Sequence, residues 1–199
     1  MNHLYPVLPL RLLPRMLGIA VAGALIAGTY GALHDQVTYS LSEAYFTKLK
    51  FHQFHYANFG LPARGFVAVV GFLATWWVGF AAGWVLGRIA VPAWPGREAW
   101  RRCLAGFGII LGSALAAAGI GLAYGRLGFG DLEAWREMCD ALGVTAEEAP
   151  AFVGVGYIHN AGYLGGLIGL LVAAGRLALA RRRQRRGRLV LEQEREREI

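Results

Sequence analysis

The chain has little charge, few cysteines and no segments that alternate between apolar and polar residues. Only 17% of its 199 residues are charged, whereas 56% are hydrophobic and 28 are glycine, a balance that soluble domains seldom reach. The two cysteines, Cys103 and Cys139, form no C-x-x-C motif, which excludes a quinone-linked thiol oxidoreductase of the four-helix type. The absence of short alternating segments excludes a transmembrane β-barrel. The composition therefore indicates an all-α membrane protein.

The apolar residues are grouped into four blocks. Each block is close to the roughly 20 residues that a helix needs to cross the hydrocarbon layer. The sequence therefore predicts a bundle of four transmembrane helices, with spans at about 14–33, 66–88, 103–124 and 153–176. The long connections, 34–64 and 125–152, lie on one side. Residues 1–188 form a single transmembrane domain, followed by a charged tail at 189–199.

The charge distribution predicts the orientation. Most of the 20 basic residues fall on one side of the predicted spans, and eight acidic residues fall on the other. The positive-inside rule therefore places both termini in the cytoplasm and both long loops outside. The basic run ARRRQRR directly follows the last span. It predicts contact with anionic lipids and not with nucleic acid.

The outer loops are long enough to contain helices of their own. Ser40 and Glu43 have the S-x-x-E spacing of a capping box, which predicts a helix from about Leu41 to Tyr56. In the second loop, Asp131 is placed to begin a helix that Gly143 ends. We therefore expect a cap of short helices over the outer end of the bundle.

Titratable residues gather at the predicted outer rim. His34 and Asp35 end the first span, and His159 lies about 20 residues before Arg176, near the same depth. Ionisable residues at membrane depth are costly without a partner, so they indicate function. If Glu43 folds over the rim, the two histidines and two carboxylates form a ligand set for iron, zinc, manganese or copper. A second version has His34 and His159 as the axial ligands of haem b.

Four further residues on the predicted cap helix are candidates for binding. His52 and His55 share a stripe roughly opposite Glu43, so they form a separate, secondary pair of metal ligands. Lys48 and Lys50 are expected to attract an anionic substrate or a lipid head group.

Two stretches resemble an uncharacterised family of bacterial four-helix integral membrane proteins. The first is HDQVTYSLSEAYFTKLKFHQF, residues 34–54, which is similar to a pattern H-D-Q-x-T-Y followed by E-x-Y-F-T-K-x-K-F. The second is HNAGYLGG, residues 159–166, which matches H-N-x-x-Y-x-G-G. The chain departs from the family where proline would precede Glu43. The resemblance implies the four-span plan and the location of the site, and it implies no activity.

The same residues also have a purely structural interpretation. His34 could cap its helix, Asp35 could pair with Lys48 or Lys50, and His159 could bond to a neighbouring helix. The sequence has no H-x-x-x-H, no E-x-x-H and no nucleophile motif. A small transporter assembled as an oligomer is disfavoured, because no span is broken by proline or heavily polar. Two other function classes remain open, and whether the protein is an enzyme stays open with them. One is a rim site that binds a metal ion or haem for redox or binding chemistry. The other is a non-catalytic accessory subunit or scaffold, in a homo-oligomer or a larger membrane complex.

Overall fold

Four long helices make up most of the protein. The computed structural model describes residues 10–197, where the long helices are α1 (Leu13–Leu41), α2 (Ala63–Ala90), α3 (Gly96–Arg126) and α4 (Ala149–Arg197). No strand occurs within that range. Each long helix contains a segment that is long and apolar enough to cross a membrane. The predicted all-α architecture with four long apolar helices is confirmed.

Helices α1 and α4 extend beyond the predicted spans. α1 does not end near residue 33 but continues to Leu41, so the predicted outer loop 34–64 begins later than expected. The hydroxyls of Thr38 and Ser40 donate to carbonyls of the preceding turn and so fit within the helix. The chain leaves the helix only at Ser42, which is extended. α4 runs without a break past residue 189, where we expected the charged tail to begin.

The long helices pack as two close pairs, α1 with α2 and α3 with α4. Glycines allow the close approach: a Cβ on Gly31 would overlap the backbone of Gly71, and a Cβ on Gly165 would overlap that of Ser113. A Cβ on Gly112 of α3 would meet no neighbouring atom. Glycine therefore permits close helix packing at the seams, whereas Gly112 lies outside them.

The two pairs join at one end through an apolar cluster that draws on every long helix. Its buried members include Met16, Leu86, Cys103 and Leu177. The cluster lies at the end of the bundle that contains the short turn between α2 and α3. Both pairs are therefore fixed to each other at this end by burial of apolar surface.

The long loop between α1 and α2 forms part of the cap at the end of the bundle opposite the apolar cluster. Residues 43–53 form short helical segments with a π-helical turn at Phe46–Lys50. The hydroxyl oxygen of Ser42 accepts a hydrogen bond from the backbone N–H of Tyr45, so Ser42 is the N-cap. The prediction that Ser40 caps this helix is wrong, because Ser40 still belongs to α1.

The loop between α3 and α4 begins and ends its short helices as predicted. The Asp131 carboxylate accepts hydrogen bonds from the backbone N–H groups of Glu133 and Ala134. Helical segments follow at Glu133–Trp135 and Arg136–Ala141. Gly143 then turns the chain with φ of 65°, a conformation that favours glycine.

An ion pair joins these two long loops to each other. The Lys48 ammonium lies 2.6 Å from Oε2 of Glu148 and 2.7 Å from the carbonyl oxygen of Gly143. The same contact, through the Lys48 hydrogen bond to the carboxylate, holds the pKa of Glu148 below its usual range. The cap is therefore a single layer made from both loops.

Candidate functional site

Three of the predicted ligands come together where α1 meets α4. His34 and Asp35 lie on α1 and His159 lies on α4, and one ligand atom from each is within 4.8 Å of the other two. Asp35 and His159 are only 4% exposed, and His34 is half-buried. Because α1 and α4 belong to different helix pairs, this triad is a second junction between the pairs, opposite the apolar cluster.

The hydrogen bonds of His159 constrain the position of its proton. Nδ1 lies 3.0 Å from the carbonyl oxygen of Val155, which can only accept, so Nδ1 carries a hydrogen. Nε2 lies 3.2 Å from Oδ1 of Asp35. A neutral imidazole with its hydrogen on Nδ1 presents a lone pair at Nε2, which a carboxylate would repel. A proton or a metal cation must therefore lie between these two atoms.

The other carboxylate oxygen of Asp35 lacks a partner. Oδ2 is buried and accepts no hydrogen bond from any described residue. Leaving a buried acceptor unsatisfied costs about 1–3 kcal/mol, and more when the group is charged. A buried carboxylate with a spare oxygen, next to two imidazoles, is a donor set suited to a divalent transition metal.

Lys50 adds a positive charge near the carboxylate. Its side chain is 8% exposed and its ammonium attracts Asp35 electrostatically, but the described residues provide it with no hydrogen bond or ion pair. Burial lowers the pKa of Lys50, and the attraction of Asp35 only partly opposes this.

Aromatic side chains enclose His159. The ring of Tyr45, from the cap, stacks on it with centroids 5.1 Å apart and planes 21° from parallel. Phe46 and Tyr163 contact the same ring edge-on, at 6.5 Å and 6.1 Å. Burial raises the pKa of Tyr45, so its hydroxyl stays protonated. The cap therefore shields His159 from water and helps to fix the plane of its ring.

The triad fits an ion better than haem. His34 stacks on Tyr30 at 5.4 Å and contacts His159 edge to face at 5.3 Å, measured between ring centroids. Axial histidines of a haem face each other across the porphyrin plane. These two rings touch directly, so no such plane lies between them.

Glu43 does not join the triad. Because the chain breaks at Ser42, Glu43 opens the first cap segment and faces back toward α1, where its Oε1 accepts a hydrogen bond of 2.8 Å from the Tyr39 hydroxyl. The Arg64 guanidinium covers the other side of Tyr39, 5.2 Å from the ring centroid. Glu43 therefore anchors the start of the cap in this structure.

The secondary histidine pair lies outside the triad. His52 and His55 are both exposed, and Nδ1 of His55 is 3.0 Å from the carbonyl oxygen of His52. The described residues place no third metal-ligating group with them.

The two lysines predicted to attract an anion are placed differently from each other. Lys48 is already paired with Glu148, so an anion would have to displace that carboxylate. Lys50 is buried beside the triad, where it adds positive charge to the site itself.

Sequence reasoning gave no role to the aromatic neighbours of the two histidines. Tyr30 precedes His34 by four residues, and Tyr163 follows His159 by four residues. Side chains four residues apart on a helix are neighbours, so this spacing alone predicts the contact of each tyrosine with its histidine. The contact of Tyr45 with His159 joins residues that are far apart in the chain and has no such local signal.

Comparison with protein-family models, with curated proteins and with solved structures finds no match to this chain.

Proposed function

We propose that this is a multi-pass protein of a bacterial inner membrane that binds a divalent transition metal ion through His34, Asp35 and His159. The observation that carries the proposal is the Asp35 carboxylate. It is buried between two imidazoles, it faces a histidine nitrogen that presents a lone pair, and its second oxygen is unsatisfied. One divalent ion would resolve all three features, because it accepts lone pairs from nitrogen and carboxylate oxygen.

The proposed topology has both termini in the cytoplasm and the cap outside. Its support is the excess of arginine at the end of the bundle opposite the triad, together with the four segments that are long enough to span. The arginine-rich part of the chain after residue 176 would then lie against anionic lipids of the inner leaflet. The family resemblance of residues 34–54 and 159–166 is part of the same proposal.

The ligand set would leave part of the metal's coordination open. Two histidines and one carboxylate bind zinc in catalytic sites, or iron in oxygenase sites, with remaining positions for water or substrate. Two ligands of one tetrahedral ion lie about 3.4 Å apart. The spread of up to 4.8 Å in the triad therefore requires only a small inward movement, which the half-buried His34 can make.

The test is the metal content of the detergent-purified protein. We expect a stoichiometric metal ion in the wild type and a background level in His159→Ala, whereas the matched control His52→Ala, which alters an exposed histidine, should keep the wild-type content. An ultraviolet–visible spectrum of the same samples would reveal haem. Wild-type protein that takes up no zinc, manganese, iron or copper would refute the proposal, and so would equal metal in His159→Ala.

A second candidate function is an accessory subunit or scaffold without a cofactor. The observation that favours it is that the Asp35–His159 contact joins the two helix pairs at their outer end. In this case a proton lies between the two residues, and their hydrogen bond holds the two helix pairs together. Such a protein would purify with a partner complex and without metal, and His159→Ala would lower its thermal stability.

A further inference from the structure

A groove runs along the outer half of the bundle between α1 and α3, with α4 at its floor. Its main part has a volume of about 340 Å³, within the range of small-molecule sites. Its walls are almost entirely apolar and include Leu33, Val37, Leu115, Leu122 and Ile158. His34 also lines it, so the groove reaches one member of the triad.

The groove continues outward to a positively charged side chain, that of Arg126. A smaller cavity of about 140 Å³ shares Leu41, Leu122 and Ile158 with the main part and extends to Arg126 at the end of α3. Arg126 is exposed and forms no hydrogen bond or ion pair with the described residues. The complete groove is therefore an apolar channel with one unpaired positive charge at its outer end.

Its length matches one leaflet of a bilayer. Leu115 and Arg126 are eleven residues apart on one helix, which spans about 16 Å at 1.5 Å per residue. Half of the hydrocarbon layer is about 15 Å thick. All the residues that line the main part lie in segments apolar enough to span, so its open side would face lipid chains.

We infer that this groove binds an anionic phospholipid of the outer leaflet, with one acyl chain along α3 and the phosphate on Arg126. The inference rests on the proposed membrane location. An acyl chain matches the apolar walls, and a phosphate at the rim matches a guanidinium, which binds phosphate through paired hydrogen bonds. The bound lipid passes His34, the triad member that lines the groove.

Two glycines of α3 provide a matched pair of variants. A Cβ at Gly119 or at Gly112 would meet no other atom, and both glycines are exposed, but only Gly119 lines the groove. Gly119→Phe should fill the groove without disturbing the helix contacts, and Gly112→Phe should leave it open. Arg126→Gln removes the charge at the rim and leaves the apolar walls unchanged.

The experiment uses the full chain in lipid nanodiscs with photoreactive phosphatidic acid, and in parallel with photoreactive phosphatidylcholine that carries the same chain. Labelled positions are mapped by mass spectrometry, and the metal content of each sample is measured. We expect phosphatidic acid to label the groove residues of α1 and α3. Gly119→Phe should abolish this labelling and Gly112→Phe should keep it. Arg126→Gln should reduce the preference for phosphatidic acid about fivefold, the effect of one basic residue at an anionic surface.

The outcomes separate this inference from the metal proposal. Equal labelling by the two lipids, or unchanged groove labelling in Gly119→Phe, would overturn the lipid site whatever the metal content. Selective labelling that Gly119→Phe abolishes, in protein that binds no metal, would support the lipid site and refute the metal site. Thermal unfolding of each variant confirms that loss of labelling does not reflect loss of the fold.

Discussion

Removal of the His159 side chain should lower the free energy of unfolding, because it leaves the buried Asp35 carboxylate without a partner. In His159→Ala, Oδ1 of Asp35 loses the partner that it has at 3.2 Å, while Oδ2 already has none among the described residues. Breaking a buried charged pair by removing one partner typically costs about 3–5 kcal/mol. We therefore expect His159→Ala to lower the free energy of unfolding by about this amount in metal-free protein.

Adding Asp35→Asn should recover part of that loss. The amide is close in shape to the carboxylate but is neutral, so the uncompensated charge disappears while the volume is kept. We expect the double variant to be more stable than His159→Ala by about 2 kcal/mol, the difference between burying an unpaired charge and burying an unpaired neutral group. Asp35→Asn alone should change stability little, because its amide N–H can donate to the free lone pair on Nε2 of His159.

The assay is reversible unfolding in mixed micelles, with a chelator present so that metal binding does not contribute. His52→Ala serves as the control, since this exposed side chain contributes little to stability. A loss below about 1 kcal/mol in His159→Ala would contradict the buried-charge argument. So would a double variant that is no more stable than His159→Ala.

Four other outcomes follow from the contacts. Lys50→Met should raise the free energy of unfolding by about 1 kcal/mol, because it replaces a buried ammonium that has no hydrogen bond among the described residues. Lys48→Met should lower the free energy of unfolding in the same assay, because it breaks the ion pair with Glu148. Since the pKa of Glu148 is lowered in the folded protein, its contribution to stability is present above its ordinary pKa of 4.5 and is lost as the pH falls through the lower folded value. The protection of the cap amides against hydrogen exchange, relative to their intrinsic exchange rates, should therefore fall at acid pH, and Glu148→Gln should remove that dependence. Gly31→Ala should cost about 1–3 kcal/mol through backbone overlap, and Gly112→Ala should cost nothing, as thermal unfolding of the two would show. Saturation with metal at about one hundred times its Kd should stabilise the wild type by about 2.7 kcal/mol and leave Asp35→Asn unaffected.

The four long helices were predictable because length and hydropathy are local properties of the sequence. Their ends were not, since residues 34–41 combine charged and apolar side chains and give no hydropathy signal for helix or loop. Packing determines where α1 ends. Asp35 and Thr38 are buried within the helix, so it continues until Ser42. Tertiary contacts thus override the composition of this stretch.

Part of the site was also predictable from local properties of the sequence. Depth along a helix follows from counting residues, and counting placed His34, Asp35 and His159 at one level. Which helices are neighbours does not follow from any count, and neither does the direction in which a cap segment faces. Glu43 illustrates this, because its position depends on the break at Ser42, which turns it toward Tyr39.

In a metal-binding protein a metal ion would lie between Asp35 and His159, and in a scaffold a proton would lie there. A proton would satisfy Oδ1 and Nε2, but it would leave Oδ2 of Asp35 buried without a partner and would give His34 no role. A metal ion can take a carboxylate through either oxygen or through both, and it uses His34 as a third ligand. The carboxylate is buried deeply enough that an unsatisfied oxygen is costly. The orphaned oxygen and the position of His34 therefore favour the metal ion as the occupant of this junction.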